Sequence, residues 1–506
     1  MTPEKAIHES PLSAPRLGLA ELPRLPEAAR PLIRPGDVAP GIVHIGVGAF
    51  HRAHQAVYTE EAIAAAGGDW GIVGVAPRSR EVVDRLTEQD GLFSVTTLGT
   101  ERSDTRVVGS LAAVRHAAAD PAAVVGLVAD PTIRVVTLTV TEKAYRLDPA
   151  TGRLQRDPAL LAELTTDRPP ATLPGLLVRG LLARAAAGAG PLAVVSCDNL
   201  PANGRLLRGL VRQAVEYAAT AIAAEAADWI ERNVSFPNTM VDRIVPATTP
   251  ATLAAARRAL GVVDLAAVAG EPYTQWVIED DFPGGRPAWE RAGAVLTDDA
   301  GPWELLKLRT LNGVHSAVAY LGALAGRETI AEALRMPGLV DLLRHLIARD
   351  IAPSFTPPAG VSVVDYGESV LERFANPAIG HRTLQVAMDG SQKLPQRTVP
   401  VLLDRRAAGA EPRWAALVVA AWMRFTRGQA DDGRPLPLDD PLAPAIRSAL
   451  AAAPDTPEGV ADALLGLRAV FPPEFAEDDV LRRLIVEWLA ALSAHGVEKT
   501  LAAAAR

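Results

Sequence analysis

The chain has 506 residues, a formal net charge of −8, 49% hydrophobic residues and 22% charged residues. At roughly 100–200 residues per domain, that length calls for two or three compact units with a sizeable core, which excludes a disordered chain. The acidic balance and the lack of any long basic run exclude an electrostatic nucleic-acid footprint.

Residues 1–40 are Pro-rich and read as an irregular arm laid over the surface. GIVHIGVGAFHRAHQAVYTEEAIAAAG (41–67) follows as a buried strand, a glycine turn and an amphipathic helix. WGIVGVA (70–76) supplies a second strand and completes a βαβ unit, and 92–98, 133–140 and 191–198 read as further strands. Helical stretches cover 158–188 and 203–232, so strands alternate with helices, as in a mostly parallel sheet covered on both faces. The GG-containing stretch 280–302 reads as a connector. Beyond residue 297 the strand signal fades, and 303–326, 328–350, 412–427 and 476–493 read as helices. The expected division is an arm (1–40), a dinucleotide-binding domain (41–296) and a helical domain (297–506).

Cys197 is the only cysteine, which rules out a disulfide framework, a four-cysteine zinc site and a CxxC redox pair. The first residues carry charges and prolines where a secretory leader needs a continuous apolar stretch, and no run of about 18 apolar residues occurs. The expectation is a soluble cytoplasmic protein with neither membrane nor nucleic-acid partners. Five lysines stand against 46 arginines, and asparagine occurs only six times. Compositional drift toward Arg and Ala explains most of this. It spares lysine where a group must lose its proton, since arginine essentially cannot. Lys307 and Asn312 survive five residues apart in one segment.

Gly46-Val47-Gly48-Ala49-Phe50 opens a helix after a buried strand, the setting in which small residues let a pyrophosphate approach free N–H groups. His51 stands where GxGxxG would place its third glycine. The second strand ends in Ala76-Pro77-Arg78-Ser79-Arg80, without the carboxylate that commonly accepts from the ribose of NAD, which leaves NAD and NADP both open. His51 and His54 have a metal-compatible spacing but no further ligand nearby in sequence, so no metal site is expected. In 303–326, Glu304, Lys307, Asn312 and His315 share an arc of about 140° on a helical wheel. Leu305, Leu306, Leu308 and Leu311 mark that helix as largely buried, which would depress a lysine pKa toward a neutral base. Asn199 ends a strand where α/β sheets place ligand groups; a turn-forming Asp-Asn pair is the plainer reading. Asp242 reads by default as the partner of an arginine. No tyrosine is followed four residues on by lysine, and GxxxxGK[ST] is absent.

Together, GVGAFHRAHQAVY (46–58), LTVTEKAY (138–145), SCDNLPANG (196–204), KLRTLNGVHSAVAYLG (307–322) and FANPAIGHRTLQVAMDGSQKLPQR (374–397) resemble the polyol-specific long-chain dehydrogenases, the family of mannitol 2-dehydrogenase and fructuronate reductase. The resemblance implies a Rossmann-type N-terminal domain, a mostly α-helical C-terminal domain and an active site in the cleft between them. It implies metal-independent hydride transfer between NAD (or NADP) and a sugar alcohol or 2-ketose, D-mannitol and D-fructose being the leading pair. Lys307 would be the general acid/base, with Asn199 and Asn312 polarising the reacting oxygen and Glu304 relaying protons. His315, Asp242 and Lys393 would contact substrate, and residues 46–51 with Arg78 would bind the nucleotide. The alternative is fructuronate reduction, which needs a cation for the carboxylate: Arg373, Arg382 or Arg397. An alternative of another class is a non-catalytic nucleotide-binding regulator. The resemblance is compatible with a monomer or a weak homo-oligomer.

Overall fold

The computed structural model describes residues 14–148, 151–218 and 221–504, and the chain divides into two units, Met1–Ala300 and Gly301–Arg506. The first thirteen residues of the expected arm lie outside the described residues. Its remainder carries Leu17, Leu22, Leu25 and Ala29 into a small core with Leu92, Val107, Leu260 and Val262.

The first unit is built on a six-stranded sheet. Across it the strands run Leu111–His116, Gly71–Ala76, Pro40–Ile45, Val135–Leu138, Leu192–Ser196 and Val234–Ser235. Every neighbouring pair is parallel. Strand side chains alternate between faces, and both faces are buried. Val43, Ile45, Val73, Val75, Val136 and Leu138 point into one apolar cluster, while Ile42, Ile72, Val135, Ala193 and Val195 enter the other. The chain reverses its direction of growth at the central strand Pro40–Ile45, between Gly71–Ala76 and Val135–Leu138. In open α/β sheets ligands bind beyond the carboxyl ends at such a reversal. Two three-stranded sheets complete the unit, one centred on Phe93–Leu98 and the other on Gln275–Glu279.

Several elements differ from the sequence expectation. The helix after the glycine turn is two helices, Ala49–Ala53 and Gln55–Ala66, because His54 leaves helical geometry (φ −130°, ψ −89°). The stretch 158–188 splits into Pro158–Thr165 and Leu173–Ala186 around Pro169-Pro170, since proline removes a donor and clashes with the preceding turn. The stretch 203–232 is likewise two helices, Asn203–Ala218 and Ala221–Asn233, on either side of residues outside the described set. The 280–302 stretch is not a bare connector: Trp289 is fully buried there, and Val295–Thr297 pairs with Gln275–Glu279.

The second unit is helical. Its helix Arg413–Phe425 buries ten of thirteen residues, and Asp350 caps it by accepting from the backbone N–H groups of Trp414 and Ala415 at 2.8 Å each. The expected helix 303–326 is three segments. Gly301–Leu306 and Gly313–Leu324 are α-helical, and Lys307–Asn312 between them is a π-helix. Leu306 and Leu311 are buried as expected, but Leu305 is exposed at 38%, because it lies on the side of the helix turned from the core. Among the described residues, no helix is long and apolar enough to cross a membrane.

Candidate active site

Beyond the carboxyl end of the central strand of the first unit lies a cleft of about 520 Å³. Gly46, Val47 and Gly48 form one wall, Ala76, Pro77, Arg78 and Ser79 a second, and the loop after Val135–Leu138 a third. Gly46 has φ +112°, and a Cβ there would stand 2.0 Å from the Thr139 carbonyl oxygen. Only glycine fits. Gly48 differs: its φ is −78°, and the nearest atom to a Cβ would be the Gly46 oxygen at 3.7 Å. The fold therefore does not itself demand the second glycine, and the bare backbone there leaves room for a ligand at the opening of the following helix. These residues fit a dinucleotide pyrophosphate. The lining contains Arg78, Lys143 and Arg146 and no carboxylate.

The third wall is held by a carboxylate that sequence reasoning passed over as a turn former. Asp198, two residues past the strand Leu192–Ser196, accepts from the N–H groups of Val140 and Thr141 at 3.1 Å and from the Tyr145 hydroxyl at 2.7 Å. Tyr145 is also 2.6 Å from the Ser196 hydroxyl. Burial raises the pKa of Asp198, and the Tyr145 hydroxyl and the two N–H groups oppose that shift by favouring the charged form. Thr141 has φ +77° and ψ 152°, a conformation costing a β-branched residue on the order of 1–3 kcal/mol. Thr139 closes the ring by donating to the Gly46 carbonyl at 2.8 Å.

Behind the glycine turn, His44 lies between Thr137 (Nδ1 to Oγ1, 2.7 Å) and Thr139 (Nε2 to Oγ1, 2.8 Å), and burial lowers its pKa to about 3. His51 stacks on it with ring centroids 3.3 Å apart, fully buried and likewise kept neutral by burial. Of the expected nucleotide-binding residues, Gly46, Val47, Gly48 and Arg78 line the cleft, and Ala49, Phe50 and His51 are not among its lining residues. Phe50 stacks on His54, whose Nε2 is 3.0 Å from the Gln275 carbonyl.

In the second unit the π-helical segment begins at Lys307 and ends at Asn312. A π-turn bonds residues five apart, so this spacing brings Lys307 and Asn312 nearer to one face than the about 140° an α-helix would set between them. π-Segments inside α-helices recur at functional sites. Glu304, Lys307 and Asn312 are half-buried, and His315 is 9% exposed. The His315 ring stacks on Phe374 at 4.4 Å and meets His381 edge-on at 4.9 Å. Its Nε2 is buried without a hydrogen-bond partner. Burial, then the positive fields of His381, Arg397, Lys393 and Arg373, hold its pKa well below the ordinary value, so the ring is neutral. Lys393 donates to the Val386 carbonyl at 3.1 Å, and burial with the Arg397 charge lowers its pKa to about 8. Arg397 donates to the Ser316 hydroxyl at 3.2 Å.

The fold of the second unit thus gathers His315, Lys393, Arg397 and Arg373 near the carboxyl side of the Lys307–Asn312 segment. Arg382 is not in that group: it is exposed, at the start of the helix Thr383–Ala387. In the first unit, Asn199 is exposed just past its strand, and Asp242 is 5% exposed in the strand Thr239–Asp242. The neighbouring Arg243 donates to the backbone carbonyls of Glu271 and Ala53. His381 was missed, and its only signal was its place in the NPAIGHRT stretch. Among the described residues, no three His, Cys, Asp or Glu side chains are grouped to hold a metal.

A cleft beyond the carboxyl ends of a parallel sheet, in one chain with a helical unit carrying a lysine, an asparagine and a neutral histidine on one segment, is the arrangement of an oxidoreductase built from two units. The model of the mannitol dehydrogenase Rossmann domain matches residues 40–291 and that of the mannitol dehydrogenase C-terminal domain matches 299–492; the chain belongs to the mannitol dehydrogenase family. It is 40% identical over 480 residues to the uncharacterised oxidoreductase YdfI of Escherichia coli (strain K12), covering 94% of this chain and 97% of that one. It is 42% identical over 407 residues to the D-mannonate oxidoreductase of the same organism, covering 79% and 83%. Among solved structures, Pseudomonas fluorescens mannitol 2-dehydrogenase, a ternary complex with NAD and D-mannitol, matches with a TM-score of 0.83 and 36% identity over 97% of this chain and 99% of that one.

Proposed function

We propose that the chain is an NAD-dependent reductase of a ketose that carries a terminal carboxylate, interconverting D-fructuronate and D-mannonate. The observation that carries the reading is the positive surroundings of His315: the charges of Arg397, Lys393 and Arg373 act on a neutral imidazole whose buried Nε2 lacks a partner, and Arg397 bonds the Ser316 hydroxyl beside it. A polyol offers that pocket only hydroxyl groups. A sugar acid offers a carboxylate for the cations and a hydroxyl for His315. The likeness to D-mannonate oxidoreductase supports the same choice. The second reading, D-mannitol and D-fructose, is supported by the likeness to mannitol 2-dehydrogenase.

When bound, the nicotinamide supplies the hydride for reduction and accepts it in the reverse direction. Lys307 donates a proton from Nζ to the carbonyl oxygen as the alcohol forms, and recovers it in oxidation. Asn312 donates a hydrogen bond to that oxygen and stabilises the charge that builds there, and Glu304 exchanges the Lys307 proton with solvent. Asn199 and Asp242 enter through the family resemblance as substrate-facing groups. The chemistry needs no metal.

Replacing Lys307 with Ala tests the mechanism. Turnover falls by about 10²–10⁴-fold, the usual worth of a positioned general acid/base, while NADH affinity is unchanged. Turnover within a few-fold of wild type would remove Lys307 from the proposed role.

A further inference from the structure

We propose that Asp198 is a positioning residue for the nucleotide, acting as a strut that holds the Thr139–Tyr145 loop against the cofactor cleft. The inference rests on the dinucleotide reading of that cleft.

Thr139, Val140, Thr141 and Lys143 line the cleft; Thr139 donates its N–H to the Ile45 carbonyl at 3.0 Å, and beyond it Val140 and Thr141 belong to no strand. Two consecutive N–H groups, those of Val140 and Thr141, aim at one carboxylate. Such convergence needs an unusual backbone, and Thr141 supplies it at φ +77°. The strained turn persists only while Asp198 receives both donors. Tyr145 braces the far end of the loop, its hydroxyl lying between the Asp198 carboxylate and the Ser196 hydroxyl. The strut also reaches the glycine turn, because Thr139 bonds the Gly46 carbonyl and its own carbonyl sits against the Gly46 Cα. Asp198 is anchored from below: the Asn203 side-chain amide donates to its backbone carbonyl at 3.1 Å. One carboxylate therefore ties the next strand of the sheet to two of the three walls that the nucleotide touches. Asp198 itself is not among the residues lining the cleft, so it acts through the loop.

The test is NADH affinity of the full chain, read by ligand fluorescence well below the melting temperature. Asp198→Ala raises the Kd by about tenfold or more, the scale set by misplacing a supporting shell. Asp198→Asn keeps an oxygen for the two N–H groups and an amide for Tyr145, and recovers most of the affinity. Tyr145→Phe, which removes one hydroxyl, gives a smaller rise of about threefold and serves if the alanine variant does not fold. Asp350→Ala is the control: it removes a buried carboxylate that caps two N–H groups elsewhere, so it lowers Tm and leaves the Kd alone. Wild-type affinity in both Asp198→Ala and Tyr145→Phe, or an equal Kd loss in the Asp350 control, would overturn the proposal. A wild-type chain that does not bind NADH would overturn the cleft assignment and this inference with it.

Discussion

Gly46 and Gly48 stand two residues apart in one turn, and the structure gives them opposite reasons to be glycine. In Gly46→Ala the new methyl meets the Thr139 oxygen at 2.0 Å and its carbonyl carbon at 2.7 Å, with φ at +112°. The disfavoured backbone region costs about 1–3 kcal/mol and the overlap a further 1–3 kcal/mol or so. At roughly 2–4 °C per kcal/mol for a unit of this size, Tm falls by about 5–20 °C. In Gly48→Ala nothing lies within 3.5 Å of the methyl, and φ is already −78°. A small loss at the helix start, a few tenths to about 1 kcal/mol, is offset by a similar entropic gain from removing a glycine from the unfolded chain. Its Tm stays within a few degrees of wild type, but the methyl occupies the surface offered to the pyrophosphate, and NADH affinity falls by about tenfold or more. Differential scanning calorimetry and NADH fluorescence titration on both variants separate the two effects. Wild-type NADH affinity in Gly48→Ala would refute the placement of the phosphates, and a wild-type Tm in Gly46→Ala would refute the steric argument.

Arg184 is fully buried and donates to the backbone carbonyls of Val128, Asp130, Ile133, Gly190 and Pro191, so Arg184→Met leaves several buried acceptors unpaired and destabilises the first unit by about 3–5 kcal/mol in chemical denaturation. Arg184→Lys restores less than half, because an ammonium cannot span that fork of acceptors. Lys393, with its pKa lowered to about 8, carries its charge below that pH and loses it above. Burial and then Arg397 lower this pKa, Asp389 and Asp440 oppose it, and burial and then the Lys393 charge lower the pKa of His381. The KM for a sugar acid is therefore lowest below pH 8 and climbs as the pH rises through it, while Lys393→Met gives a raised KM without that rise; a flat wild-type profile would remove Lys393 from carboxylate binding.

The parallel sheet was legible because its strands are short runs of Val and Ile flanked by glycine and turn residues, as in Gly71–Ala76 and Leu192–Ser196. Leu111–His116 escaped because its alanines, arginine and histidine carry little strand signal; its place is fixed by pairing with Gly71–Ala76. The glycine turn after the first strand was readable, whereas the different demands on Gly46 and Gly48 depend on Thr139, nearly a hundred residues away. Lys307 and Asn312 stood out as rare residues and His315 by sharing their helical arc, but side-chain periodicity does not encode a π-turn, which is a matter of backbone hydrogen bonding. Asp198 was hidden for a related reason. An Asp-Asn pair after a strand has the composition of a turn, and only the fold shows two N–H groups and a tyrosine converging on it.

Whether the cations around His315 select a carboxylate-bearing substrate is decided by kcat/KM for D-fructuronate and D-fructose, each with NADH at neutral pH. One charge-assisted contact is worth about 1.5–3 kcal/mol, so fructuronate is favoured by roughly tenfold to a hundredfold or more. Equal values, or a preference for fructose, would return the chain to the polyol reading.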